Sequence, residues 1–133
     1  MEAALDYKNI DIGGNNMKIA IQVMVQPYTY QDIDSAINIA KAALNKGHEV
    51  TIFLFCDSAI ASNDKIKPVR SDRKIPSLLK EVVDMGGRVE ICGICMDYRG
   101  ITKDMIVEGS NPSGLPELAE LIYESDRFIS FMA

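Results

Sequence analysis

Tryptophan is absent and histidine occurs once, at position 48, among 133 residues. That removes the usual material for His-rich metal centres and Ser-His-Asp catalysis. Cysteine occurs three times, too few and too odd a number for a disulfide framework. Reduced thiols in the cytoplasm are therefore the expectation. No apolar run approaches the roughly 20 residues that cross a bilayer. The opening MEAALDYKNIDIGGNN has neither the basic head nor the greasy core of a secretory leader. Bases are in short supply as well: 14 Lys and Arg against 19 Asp and Glu leave a formal charge of −5. A duplex-coating protein needs a basic face to displace counterions, so direct nucleic-acid binding is not expected. What is present, 47% apolar and 25% charged residues, suits one folded domain.

Residues 1–16 show no sustained period and read as a loosely held extension; residues 17–133 read as the domain. There, apolar blocks alternate with helical ones. Lys18–Val25 is almost continuously apolar and short, as in a parallel strand covered on both faces. Gln31–Lys46 spaces Ile33, Ile37, Ala40 and Leu44 as an amphipathic helix, with Gly47 as its stop. Val50–Phe55 predicts a second strand, Pro76–Met85 a second helix and Arg88–Cys92 a third strand followed by a short turn or helix. A weak strand is expected within Met105–Asn111, a last helix at Leu115–Glu124 and a last strand at Arg127–Met132. The polar stretch Ser62–Lys74 has neither period. The alternation predicts a single-domain α/β fold: a mostly parallel five-stranded sheet flanked by helices on both faces. A flavodoxin-like strand order 2-1-3-4-5, with the first strand central, is the working expectation.

In such a sheet the chemistry gathers at the carboxyl ends of the strands. The sharpest feature there is Cys92-Gly93-Ile94-Cys95. A cysteine at a helix start loses its proton more easily than a free one, and its thiolate attacks soft electrophiles. Gly93 removes a side chain beside the sulfur, and Arg99, two turns on, adds positive potential. The reading requires an accessible sulfur at the mouth of a cleft. Its rival is that Cys92 is a small, buried strand-end residue. A thioredoxin-like pair follows the first long strand and opens a long helix, unlike this one. Zinc needs four ligands, and Cys56 is placed two strands away by the working order, on the order of 10 Å. Neither a metal nor a cofactor is expected, since no G-x-x-x-x-G-K-[ST] or G-x-G-x-x-G occurs.

The span Cys92-x6-Arg99-Gly100-Ile101 resembles the signature of the DsrE/DsrF/TusD family of sulfur-relay proteins. The closing stretch from Ser113-Gly114-Leu115 through Asp126-Arg127-Phe128-Ile129-Ser130-Phe131 is similar to that family's last helix and strand. The opening strand near Met17 and a helix ending in Lys46-Gly47-His48 are similar too, so the likeness covers residues 17–133. The resemblance implies a DsrE-like fold and a homo-oligomer, a trimer or hexamer. It also implies a persulfide or thiosulfonate on Cys92, taken from a donor protein and passed to an acceptor carrier. Cys95 departs from the TusD pattern, where a small residue stands, and leaves room for a resolving thiol. Gly93, Arg99, Gly100 and Tyr28 are the candidate substrate contacts. A C-x-x-C dithiol oxidoreductase and an inert oligomeric scaffold remain the rival readings.

Around this centre, Lys65, Lys67, Arg70, Arg73 and Lys74 make a basic stretch in an acidic chain. It reads either as a collar for small anionic sulfur species or as a solvated loop. Tyr28 and Tyr30 line the crevice or bury their rings. His48 falls on the edge opposite Cys92, and Cys56 reads as core packing.

Overall fold

The computed structural model, which describes residues 16–132, is built on five strands that pair in parallel throughout. In chain order the elements are β1 (Lys18–Val23), α1 (Asp32–Asn45), β2 (Glu49–Leu54), α2 (Ile75–Asp84), β3 (Arg88–Cys92), α3 (Gly93–Asp97), β4 (Asn111–Ser113), α4 (Leu115–Glu124) and β5 (Arg127–Phe131). Short 3-10 segments lie at Cys56–Ser62, Ser71–Arg73 and Lys103–Met105. The single-domain α/β expectation holds. The proposed extension, apart from Asn16, lies outside the described residues.

The strand order is β4-β3-β2-β1-β5, which corrects the expected 2-1-3-4-5. The chain steps from β1 to β2 to β3 to β4 in one direction, then returns through α4 to lay β5 against the free side of β1. β2 occupies the centre, and every residue of it after Glu49 is buried. β1 instead carries the polar Gln22, whose side chain donates to Ser130 of β5 at 3.0 Å. Right-handed crossovers place α1 and α2 on one face, where Lys41 pairs with Glu81, and the return helix α4 on the other.

The core is filled by Ile21, Ile33, Ile37, Ile52, Phe53, Leu54, Leu79 and Ile91, all essentially without exposure. Burying each is worth about 1.5–3 kcal/mol. The second face is covered less completely. Between the sheet and α4 lies a cleft of about 350 Å³ lined by Thr51, Phe53, Glu90, Ser113, Glu120 and Leu121. Leu118 is the one buried side chain of α4.

The weak strand expected within Met105–Asn111 moves to Asn111–Ser113. Ile106 and Val107 are buried but spent on the loop: Ile106 bridges Asn63, and the Val107 amide donates to Ser62. Only Asn111–Ser113 reaches alongside Glu90–Cys92.

Candidate active site

Cys92 is the last residue of β3 and Gly93 the first of α3. The backbone at Cys92 is still extended (φ −60°, ψ 116°), and the helix begins one residue later. Positions three apart on a helix share a side, so Cys95 is carried back towards Cys92. The two thiols are close enough for Cys92 to influence the proton on Cys95. Burial pushes the Cys95 thiol up to about 11, and the neighbouring Cys92 acts in the same direction. Near neutral pH Cys95 is thus a protonated donor beside Cys92.

From sequence alone Cys56 belongs to core packing, two strands off. With β2 beside β3 in the sheet, it arrives at the site instead. The last pair of the two strands is Leu54 with Ile91, so the chain leaves β2 next to Cys92. The Cys56 amide donates to Cys95 Sγ at 3.2 Å, which draws the Cys95 pKa back down. Cys56 has φ 54°, a left-handed conformation that an L side chain adopts at a cost. All three cysteines of the chain therefore converge on one corner of the sheet. Among the described residues, no group of three or more His, Cys, Asp or Glu side chains is arranged to hold a metal ion.

Arg99 was expected to add positive potential towards Cys92. Its guanidinium is instead committed locally. Nε donates to Asp57 Oδ1 at 3.1 Å, Nη2 reaches the same oxygen, and Nη1 donates to the Cys95 carbonyl at 3.0 Å. The residue ties the segment after β2 to the helix after β3. Gly100 (φ 66°) ends that helix: its amide donates to Asp97 and the Ile101 amide to Met96. These are the paired bonds of a Schellman turn, which needs a residue in the left-handed region.

A Cβ built on Gly93 would meet only the Ser113 carbonyl, at 3.4 Å, so the backbone beside Cys92 has room for a small substituent. Tyr28 also has a left-handed backbone (φ 72°). Its hydroxyl accepts the first amide of α2, from Ile75, at 3.3 Å, and the Arg73 guanidinium lies 5.7 Å from its ring centroid. Tyr28 thus lines a groove of about 360 Å³ with Ile66, Lys67, Pro68, Val69 and Arg70. Charge in this basic stretch is partly neutralised, since Arg73 pairs with Asp34, Arg70 with Asp72 and Lys65 with Asp64. His48 lies at the far edge, where its Nδ1 accepts the Met17 amide at 3.0 Å.

The expected accessible sulfur is not what the structure shows. Cys92 is 3% exposed and Cys95 9%, packed with Met96 and Ile91 in the core, whereas Cys56 is half-buried. The sequence pattern of β3 and α3 placed the pair correctly. It could not foresee that the segment after β2 folds over them.

A profile of the DsrE/DsrF-like family matches residues 17–131, which include every element described above. The chain belongs to the DsrE/DsrF-like family. This DsrE/DsrF-like chain is 30% identical over 128 residues to DsrE of Allochromatium vinosum, covering 86% of this chain and 98% of that one. It is 27% identical over 128 residues to the sulfurtransferase TusD of Salmonella arizonae, covering 86% and 100%. The crystal structure of the ychN protein from E. coli superposes with a TM-score of 0.76 at 25% identity, over 86% of this chain and 99% of that one. Among the described residues of this family member, no helix is long and apolar enough to cross a membrane.

Proposed function

We propose that this protein is a sulfur carrier and sulfurtransferase of the reducing cytoplasm. It accepts sulfane sulfur or a thiosulfonate group on Cys92 and passes it on. The observation that carries the reading is the Cys92–Cys95 thiol contact at the carboxyl end of β3, in a chain similar to the sulfurtransferase TusD. In loading, the Cys92 thiolate attacks the outer sulfur of a donor persulfide. The donor S–S bond breaks, the donor leaves as a thiolate, and Cys92 becomes a persulfide. With thiosulfate as donor the leaving group is sulfite. No net oxidant is needed in either case. Because Cys92 is buried, loading requires the Cys56–Ser62 segment or α3 to move aside. Gly93 leaves space for the incoming sulfur, and Arg99 and Gly100 fix the helix that carries Cys95. Tyr28 and the unpaired part of the basic stretch attract the anionic donor.

The partners on this reading are donor and acceptor carrier proteins, small anionic sulfur species and further copies of the chain in a trimer or hexamer. Self-association is supported by the thin cover over α4 and β5, where Leu115, Ile122, Phe128 and Met132 are all exposed.

The same contact supports a second reading. If the Cys95 sulfur attacks the inner sulfur of a Cys92 persulfide, a Cys92–Cys95 disulfide forms and hydrosulfide leaves. A pair that instead forms this disulfide directly from its two thiols, while reducing a substrate disulfide to two thiols, is a dithiol oxidoreductase. Intact-mass measurement after exposure to thiosulfate, tetrathionate or polysulfide separates the readings. A sulfur adduct lost in Cys92→Ser supports the carrier. Loss of two hydrogens with no hydrosulfide released from thiosulfate supports the redox pair, and an unchanged mass supports an inert scaffold.

A further inference from the structure

We infer that Cys56 is the third thiol of this site and the atom through which sulfur leaves it. The inference rests on the carrier reading and gives the sulfur an exit that does not need the opening required for loading. Cys92 and Cys95 are closed off, while Cys56 alone among the three cysteines is partly open to solvent. Its position is fixed by two neighbours. Its own amide holds Cys95 Sγ at 3.2 Å, and the next residue, Asp57, is held by Arg99, which also grips the Cys95 carbonyl. From covalent geometry alone, the Cys56 sulfur lies within about 7 Å of the Cys95 sulfur. A persulfide on Cys92 extends that side by a further S–S bond of about 2 Å. The adjacent strands themselves run about 4.8 Å apart.

The step is an exchange between two thiols with no change in overall oxidation state. The Cys56 thiol gives its proton to water, and its sulfur attacks the outer sulfur of the Cys92 persulfide. A Cys56 S–S bond forms as the Cys92 S–S bond breaks, and Cys92 departs as a thiolate. The protonated Cys95 thiol, carried to the same side by its i,i+3 spacing, is placed to stabilise that leaving thiolate. The Cys56 persulfide then faces an acceptor at the surface, beside the half-exposed Asp57 carboxylate.

The test loads the full chain with inorganic polysulfide, alkylates at successive times and maps the peptides by mass. A low-molecular-weight thiol is then added as acceptor. Sulfur is expected on Cys92 first and on Cys56 later, and Cys92→Ser should leave Cys56 bare. Cys56→Ser and Cys56→Ala should still load Cys92 but release sulfur to the acceptor about tenfold more slowly or worse, because the internal relay is gone. Release at the wild-type rate from both variants overturns the inference while the carrier reading stands. So does loading of Cys56 in Cys92→Ser. Folded variants that no longer load Cys92 put Cys56 on the entry side and overturn its assignment as exit. Should the variants fail to fold, the order of labelling in the wild type decides alone. If no cysteine of the wild type takes sulfur, the carrier reading fails and this inference with it.

Discussion

Arg99 and Asp57 form an ion pair that bridges the two segments leaving β2 and β3, with the guanidinium also capping the Cys95 carbonyl. The pair is half-open to solvent, with Arg99 24% and Asp57 51% exposed, so screening keeps its own worth small. Its effect is to fix where Cys56 stands relative to Cys95.

Removing the clamp should therefore cost little stability and much organisation. Asp57→Asn is expected to lower stability by less than about 1 kcal/mol. Arg99→Ala also leaves the Cys95 carbonyl without that donor and should cost about 1–2 kcal/mol. In both, Cys92 and Cys95 should alkylate faster than in the wild type under native conditions. Denaturant titration and timed alkylation measure the two effects. Wild-type alkylation rates in Arg99→Ala would refute the clamp.

Cys95 links stability to pH. Its pKa is raised from the thiol value of 9.0 to about 11 by burial and by Cys92. Between those values the folded state holds the proton more tightly than the unfolded state, so stability falls as pH rises. The contribution is whole below pH 9.0 and lost by about pH 11. Stability measured across this window should slope downward, and Cys95→Ser should flatten the slope. An equal slope in the variant means that another group is responsible.

The two glycines near the cysteines should respond differently to alanine. At Gly100 nothing lies within 4 Å of a built Cβ, but φ is 66°, so Gly100→Ala should cost about 1–2 kcal/mol of backbone strain. Gly93 has no such backbone and only a 3.4 Å approach to Ser113. Gly93→Ala should leave the melting temperature nearly unchanged yet slow sulfur loading. Melting curves beside loading kinetics test the contrast, and a Gly93→Ala protein that loads normally removes Gly93 from the site.

Self-association through α4 and β5 predicts a change of size on charging that face. Phe128 and Ile122, 40% and 39% exposed, are the residues to alter. The wild type is expected to sediment as a trimer or hexamer, and Phe128→Asp combined with Ile122→Glu as a smaller species. A wild type that sediments as a monomer at micromolar concentration refutes the assembly. An unchanged oligomer in the variant moves it to another face.

Which parts of this protein its sequence determines follows from the range of the forces involved. Local patterns suffice for the helix of Asp32–Asn45, the buried run of β2 and the Cys92-x-x-Cys95 pair at a strand-to-helix junction, since periodicity and i,i+3 spacing act within a few residues. Strand order is different. β1 and β2 are both short and apolar, and nothing local tells which one takes the centre. Pairing is settled by the sum of long-range contacts in the closed sheet. That decision alone set β2 beside β3, brought Cys56 to Cys95, turned Arg99 towards Asp57 and buried Cys92 beneath the segment that follows.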